Sequence, residues 1–143
     1  MGLSKKAMEE LCSIYYNENK FEHAKRVAEH TKTLKNILSF KEENAWQYIY
    51  LLGLAHDLYE DTDIQRGVWF DEMFEENLLL LTKEKDVDYI EYIKNIRKQA
   101  DLYTNYIPAY ILKLADVWDH LNQNKTLTKK RKEKYIKALP YLL

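Results

Sequence analysis

The stretch AWQYIYLLGLAHDLYED, residues 45–61, decides the fold class. It is apolar nearly all the way round until His56, the pattern of a helix central to a core rather than one laid on a surface. Gly53 within it lowers helix propensity, and a close crossing by another helix is the physical reason to expect it there. Working back towards the N-terminus, Ser4 is placed to cap a first helix through Tyr16, with Ala7, Leu11, Ile14 and Tyr15 on its apolar face. After a polar break at Asn17–Lys20, a second helix runs from about Phe21 to Leu38. It carries Ala24, Val27, Ala28, Leu34 and Leu38 at three- and four-residue steps. The polar stretch Ser39–Asn44 then leads into the central segment.

Towards the C-terminus the pattern lapses from Thr62 to Val68, a loop containing Gly67. Helical periodicity resumes in FDEMFEENLLLL (70–81) and DVDYIEYIKNIRKQ (86–99), joined by a polar connection at Thr82–Lys85. Asn105–His120 reads as a further helix with Pro108 in its first turn, where proline is tolerated. Thr128 opens a basic closing helix, TKKRKEKYIKALPYLL, which Pro140 is expected to disrupt near its end. No internal repeat or linker interrupts the chain. The prediction is an all-α fold: one domain over residues 1–143, a bundle of six or seven helices.

Composition agrees. Three Gly and two Pro in 143 residues leave too few turn formers for an all-β fold. With 46% hydrophobic and 31% charged residues, the chain is not of a disordered or collagen-like class. Its 22 Lys and Arg against 23 Asp and Glu provide no global basic field, so nucleic acid is not an expected partner and an anionic ligand must be met locally. The single Cys12 excludes an internal disulfide and a cysteine-based zinc site. The segment MGLSKKAMEE lacks the apolar core of a signal peptide, and no apolar run approaches a membrane span. A cytoplasmic protein with no membrane partner is the expectation; twelve Tyr and three Trp suit self-association and core packing equally.

The chemistry concentrates in LLGLAHDLYEDTD, residues 51–63. Asp57, Glu60, Asp61 and Asp63 crowd together, and no Lys or Arg occurs between Lys41 and Arg66. At a helix C-terminus the dipole makes such carboxylates less favourable, so something positive should offset them. On a continuous helix His56 and Glu60 share one face, and Asp57 and Asp61 the adjacent one. A metal centre that hydrolyses phosphate esters needs imidazole and carboxylate ligands together with a carboxylate that handles the proton. The competing reading is a solvated acidic helix end whose His caps a carbonyl. His23 and His30 lie on a stripe with Val27 and Leu34, where a lone His is more often a core or boundary residue. Asp116 sits in the apolar run YILKLADVWDHL and needs a partner if buried. Lys113 is discounted as that partner, and Asp119 and His120 either line the same site or face solvent.

Taken in order, His23, the pair His56–Asp57 and Asp116 resemble the H…HD…D pattern of the HD-domain metal-dependent phosphohydrolases. The likeness extends to segments. LAHDLYEDTD resembles the HD-x-x-ED-T segment of the RelA/SpoT-type alarmone hydrolases, and FEHAKRVAEH their H-x-x-x-VA helix. LLTKEKDVDYIEYIKNI is similar to their LT segment ahead of a Tyr-Ile helix, and ILKLADVWDHL to their K-L-A-D-x-x-x-N-L helix. Together these cover about residues 20 to 122.

The resemblance implies an HD-domain helical bundle with one divalent metal ion, usually manganese in this family. It implies His23, His56, Asp57 and Asp116 as ligands, with Glu60 and Asp61 positioning and deprotonating the attacking water. A His/Asp donor set suits manganese, iron or zinc better than calcium. The implied reaction is hydrolysis of a nucleotide, in the alarmone hydrolases removal of a 3′-pyrophosphate. Another nucleotidase or phosphodiesterase of the superfamily, or a non-catalytic nucleotide-binding module, is the alternative. Two departures stand out. The family carries Asn at the position of His120, a place associated with substrate contact. The stretch before the first His, NENKFEH, has only Lys20 as a basic residue. Lys20, Lys25, Lys83, Lys113 and His120 are the candidate substrate contacts, and the basic segment Lys125–Lys137 is read as a solvated helix face.

Overall fold

The computed structural model describes residues 3–38, 42–123 and 127–143. Its helices are α1 (Lys5–Tyr15), α2 (Glu18–Ile37), α3 (Glu43–Ala55), α4 (Leu58–Asp61), α5 (Glu72–Leu81), α6 (Tyr89–Leu102), α7 (Ile107–Asn122) and α8 (Lys129–Leu142). A single 3₁₀ turn at Thr104–Tyr106 leads into α7. The described residues contain no strand, so the fold is all-α as expected, with seven helices of ten residues or more and the short α4. None of these helices is long and apolar enough to cross a membrane.

Local sequence sets the helix starts. Side chains of Ser4, Asn17, Asp71, Asp88 and Thr128 each accept a backbone N–H at the head of α1, α2, α5, α6 and α8. Asn17 thereby starts α2 three residues earlier than the periodicity suggested. Pro108 falls in the first turn of α7 as expected. Gly67 turns the loop after α4 with φ of 77°, a conformation that favours glycine.

The central layer is α2, α3 and α7, each packed against the other two. A Cβ on Gly53 would lie 2.9 Å from the Ala28 Cα, so the glycine is what lets α3 cross α2 at backbone contact. On α3, Ile49, Leu52, Leu54 and Ala55 are fully buried, confirming its place in the core. Helix α1 packs on α3 and α2, α5 packs on α7 and α3, and α6 and α8 pair with each other beside α7.

Several expectations need correction. In α1 the buried face is Met8, Leu11 and Cys12, while Ile14 is 74% exposed. The inward stripe is therefore rotated by about one residue relative to the one chosen by hydrophobicity. Pro140 does not end α8, which runs on to Leu142. So close to the terminus the ring removes one intrahelical hydrogen bond and few turns remain to be kinked. The segment 45–61 is not one helix but breaks between α3 and α4 at His56 and Asp57. Of the polar stretch at 39–44, residues 39–41 lie outside the described residues, as does Lys125 of the basic segment.

Candidate metal centre

The break between α3 and α4 builds the site. The His56 Nδ1–H donates to the Gly53 carbonyl at 2.6 Å. The Tyr16 hydroxyl donates to the Leu54 carbonyl at 2.8 Å and accepts the Asp57 N–H at 3.2 Å. Backbone groups that a continuous helix would pair internally are thus satisfied by side chains. Asp57 adopts φ −99° and ψ 1°, and its carboxylate turns towards the His56 ring, with Oδ2 3.2 Å from Nε2.

Helix α2 brings His23 and helix α7 brings Asp116 to the same point. His23 Nε2 lies 3.0 Å from Asp116 Oδ1 and 3.6 Å from Asp57 Oδ2. His56 Nε2 lies 3.3 Å from Asp116 Oδ1. The four expected ligands, which span residues 23 to 116, therefore converge. Ligand atoms of His23, His56 and Asp57 all fall within 4.8 Å of one another.

Whether these residues suit a cation is decided by His56. Its Nδ1 faces a carbonyl, which can only accept, so in the neutral ring Nε2 carries the lone pair. That nitrogen is buried, makes no hydrogen bond among the described residues, and points at two carboxylate oxygens. A lone pair confronting two carboxylates is relieved by a positive charge between them. Burial pulls the His56 imidazole down, but Asp57 and Asp116 outweigh it and hold it well above its ordinary value, in keeping with a site that favours positive charge. His23 is likewise drawn down by burial and raised further by its hydrogen bonds to Asp116 and Asp119. The carboxylates respond in the opposite sense. Burial alone would raise Asp57, yet the adjacent His56 takes it down to about 2. Asp116 lies well below the usual carboxylate range because Lys113 and three imidazoles overcome its burial.

The remaining expected residues are distributed unevenly. Glu60 sits at the cavity mouth, where Oε1 accepts the Lys83 backbone N–H at 2.7 Å. Partial burial and then the neighbouring Asp57 raise its carboxyl above the ordinary value. Asp61 lines the same cavity and pairs with Lys20 at 2.9 Å. Lys83 is on the wall, but its ammonium donates to the Glu84 and Val87 carbonyls. Lys25 is not: it pairs with Glu22 at 2.7 Å and lies over the Phe21 ring. Asp63 and Lys113 also differ from expectation. Asp63 is exposed and does not line the cavity. Lys113, discounted as a partner for Asp116, donates to Asp116 Oδ2 at 2.7 Å with both side chains buried. Residues three apart on a helix are neighbours, which is the physical reason for that correction.

Three further contributions come from residues to which periodicity assigned no function. Asp119, fully buried, accepts from His23 Nδ1 at 2.7 Å, from Arg26 Nε at 3.0 Å and from His30 Nε2 at 3.0 Å. It fixes the His23 tautomer so that Nε2 faces the centre, and its place three residues after Asp116 was the available signal. The closing helix is not merely a solvated face, because Arg131 and Lys134 line the cavity. Lys134 lies over the Tyr89 and Tyr135 rings at 4.4 and 5.1 Å. Burial, then the charges of Lys113 and Arg131, push its ammonium below the ordinary value. Tyr89 Oη in the same wall is buried without a hydrogen-bond partner among the described residues.

The cavity holds about 690 Å³. Six basic side chains (Lys20, Arg26, Lys83, Lys113, Arg131, Lys134) and six acidic ones line it, so a bound dication makes its balance positive. That combination, a cation between imidazoles and carboxylates beneath a ring of ammonium and guanidinium groups, suits a phosphorylated ligand. No family model matches the chain, and no curated protein matches it.

Proposed function

We propose that the protein is a metal-dependent phosphohydrolase of the HD-domain kind, acting on a nucleotide and capable of releasing the 3′-pyrophosphate of an alarmone. The observation that carries this reading is the convergence of His23, His56, Asp57 and Asp116, with the buried His56 Nε2 left for a cation. The ordered likeness of four segments to the alarmone hydrolases supports the same class.

Those four residues would hold the divalent ion, which when bound polarises a phosphoryl oxygen and lowers the pKa of water. The chain's own groups do the rest. Glu60, with Oε1 held by the Lys83 N–H and its proton affinity raised, takes the proton of the attacking water on its other oxygen. Asp61, held by Lys20, fixes the orientation of that water. The water oxygen bonds to phosphorus as the bond from phosphorus to the ester oxygen breaks, and the Glu60 proton passes to the leaving oxygen. Lys134 and Arg131 face the remaining phosphate charge. Lys113 stays on Asp116 Oδ2, so it anchors a ligand rather than the substrate.

Purified protein with Mn²⁺ should hydrolyse at least one member of a nucleotide panel that includes alarmones, and Asp57→Ala should lower the rate at least about 1,000-fold. Chromatographic identification of pyrophosphate, orthophosphate or an opened cyclic monophosphate assigns the reaction. An intact panel under Mn²⁺, Fe²⁺, Co²⁺ and Zn²⁺ overturns the enzymatic reading.

A further inference from the structure

Three imidazoles, not two, face one carboxylate oxygen. Asp116 Oδ1 lies 3.0 Å from His23 Nε2, 3.3 Å from His56 Nε2 and 3.3 Å from His120 Nε2. His120 thus stands towards that oxygen at the same distance as His56. Ligand atoms of His23, Asp116 and His120 all lie within 4.8 Å of one another.

A histidine four residues after an aspartate on an exposed helix face would be free to swing into solvent. His120 is held on both sides instead. Tyr135 of α8 stacks on its ring at 4.4 Å with a 6° interplanar angle, and His23 approaches at 4.6 Å. Two rings from two other helices therefore keep Nε2 aimed at the centre, the kind of support from neighbouring groups that metal-ligating histidines receive. Lys113 occupies Asp116 Oδ2, leaving only Oδ1, the atom the three imidazoles surround, for a cation.

We infer that His120 is a third imidazole ligand, so that the centre offers three nitrogens (His23, His56, His120) and two carboxylates (Asp57, Asp116). The inference rests on the metal-dependent reading above but concerns a residue that reading leaves outside the donor set. A third imidazole moves the site's preference away from Mn²⁺ and towards the later first-row ions, Co²⁺ and Zn²⁺ among them.

The test uses the full chain, stripped with chelator and titrated with Co²⁺ while the visible absorption is followed. Wild type should bind one Co²⁺. His120→Asn should still bind one, with a shifted absorption band and at least about tenfold weaker affinity. Its affinity ratio for Co²⁺ over Mn²⁺ should also fall. X-ray absorption of the Co²⁺-loaded wild type needs no variant and should count three imidazoles. A count of two, or a His120→Asn spectrum and affinity equal to wild type, overturns the assignment of His120 alone. Wild type that binds neither Co²⁺ nor Mn²⁺, or His56→Ala that binds as wild type does, overturns the metal reading and this inference with it.

Discussion

Asp119 illustrates how one side chain can matter without facing the reacting atoms. It is a fully buried carboxylate whose charge is shared by Arg26, His30 and His23. Burial would raise its carboxyl, but the His23 hydrogen bond, then those of Arg26 and His30, hold it well below the ordinary range. Removing it frees the His23 ring to rotate and its Nδ1 proton to move. Asp119→Ala should therefore weaken Mn²⁺ binding about 10–100-fold by calorimetry, in line with the loss of other groups that orient ligands. Arg26→Ala should leave that affinity within about threefold of wild type, because His23 keeps its acceptor. Equal losses in the two variants would mean that charge, not ring orientation, is what Asp119 supplies. The sequence left open whether Asp119 lines the site or faces solvent, because its donors come from α2, about 90 residues away.

At the level of the element, the decisive feature is the interruption between α3 and α4. LLGLAHDLYED reads as one helix, and nothing in its own composition contains a breaker at His56. The interruption is stabilised from elsewhere, by the Tyr16 hydroxyl at the end of α1. Tyr16→Phe leaves the Asp57 N–H without its partner, at a cost of about 1–3 kcal/mol. Its melting temperature should fall, and hydrogen exchange at the Asp57 amide should lose protection while amides in the middle of α2 keep theirs. Unchanged exchange at Asp57 would show that the turn holds without Tyr16. The helices themselves were legible because caps and apolar periodicity are local. The break was not, since its cause lies 41 residues upstream.

For the whole molecule, three segments far apart in the chain meet in one charged centre, and its protonation is tied to folding. Asp57, Asp116 and Asp119 have depressed values, so their stabilisation is present above about pH 4 and is lost as the pH falls through the folded values. His23 and His56 have raised values, so theirs is complete below about pH 6.5 and is lost as the pH rises through the folded values. Chelator-treated protein should accordingly melt highest between about pH 4 and 6.5, and its melting temperature should fall on the alkaline side. Added Co²⁺ or Zn²⁺ should reverse that alkaline fall by replacing the protons on the imidazoles. A metal-free melting temperature that climbs steadily to pH 8 would contradict the centre as described. The all-α class, the starts of α1 and α8 at Ser4 and Thr128, and a close helix crossing at Gly53 were legible in the sequence, because caps, periodicity and a misplaced glycine are short-range signals. The bend at His56, the Lys113–Asp116 pair, the burial of Asp119 and the turning of Arg131 and Lys134 into the cavity were settled only by the tertiary structure. Each depends on which face a side chain presents to a helix distant in sequence, and periodicity carries no information about that partner.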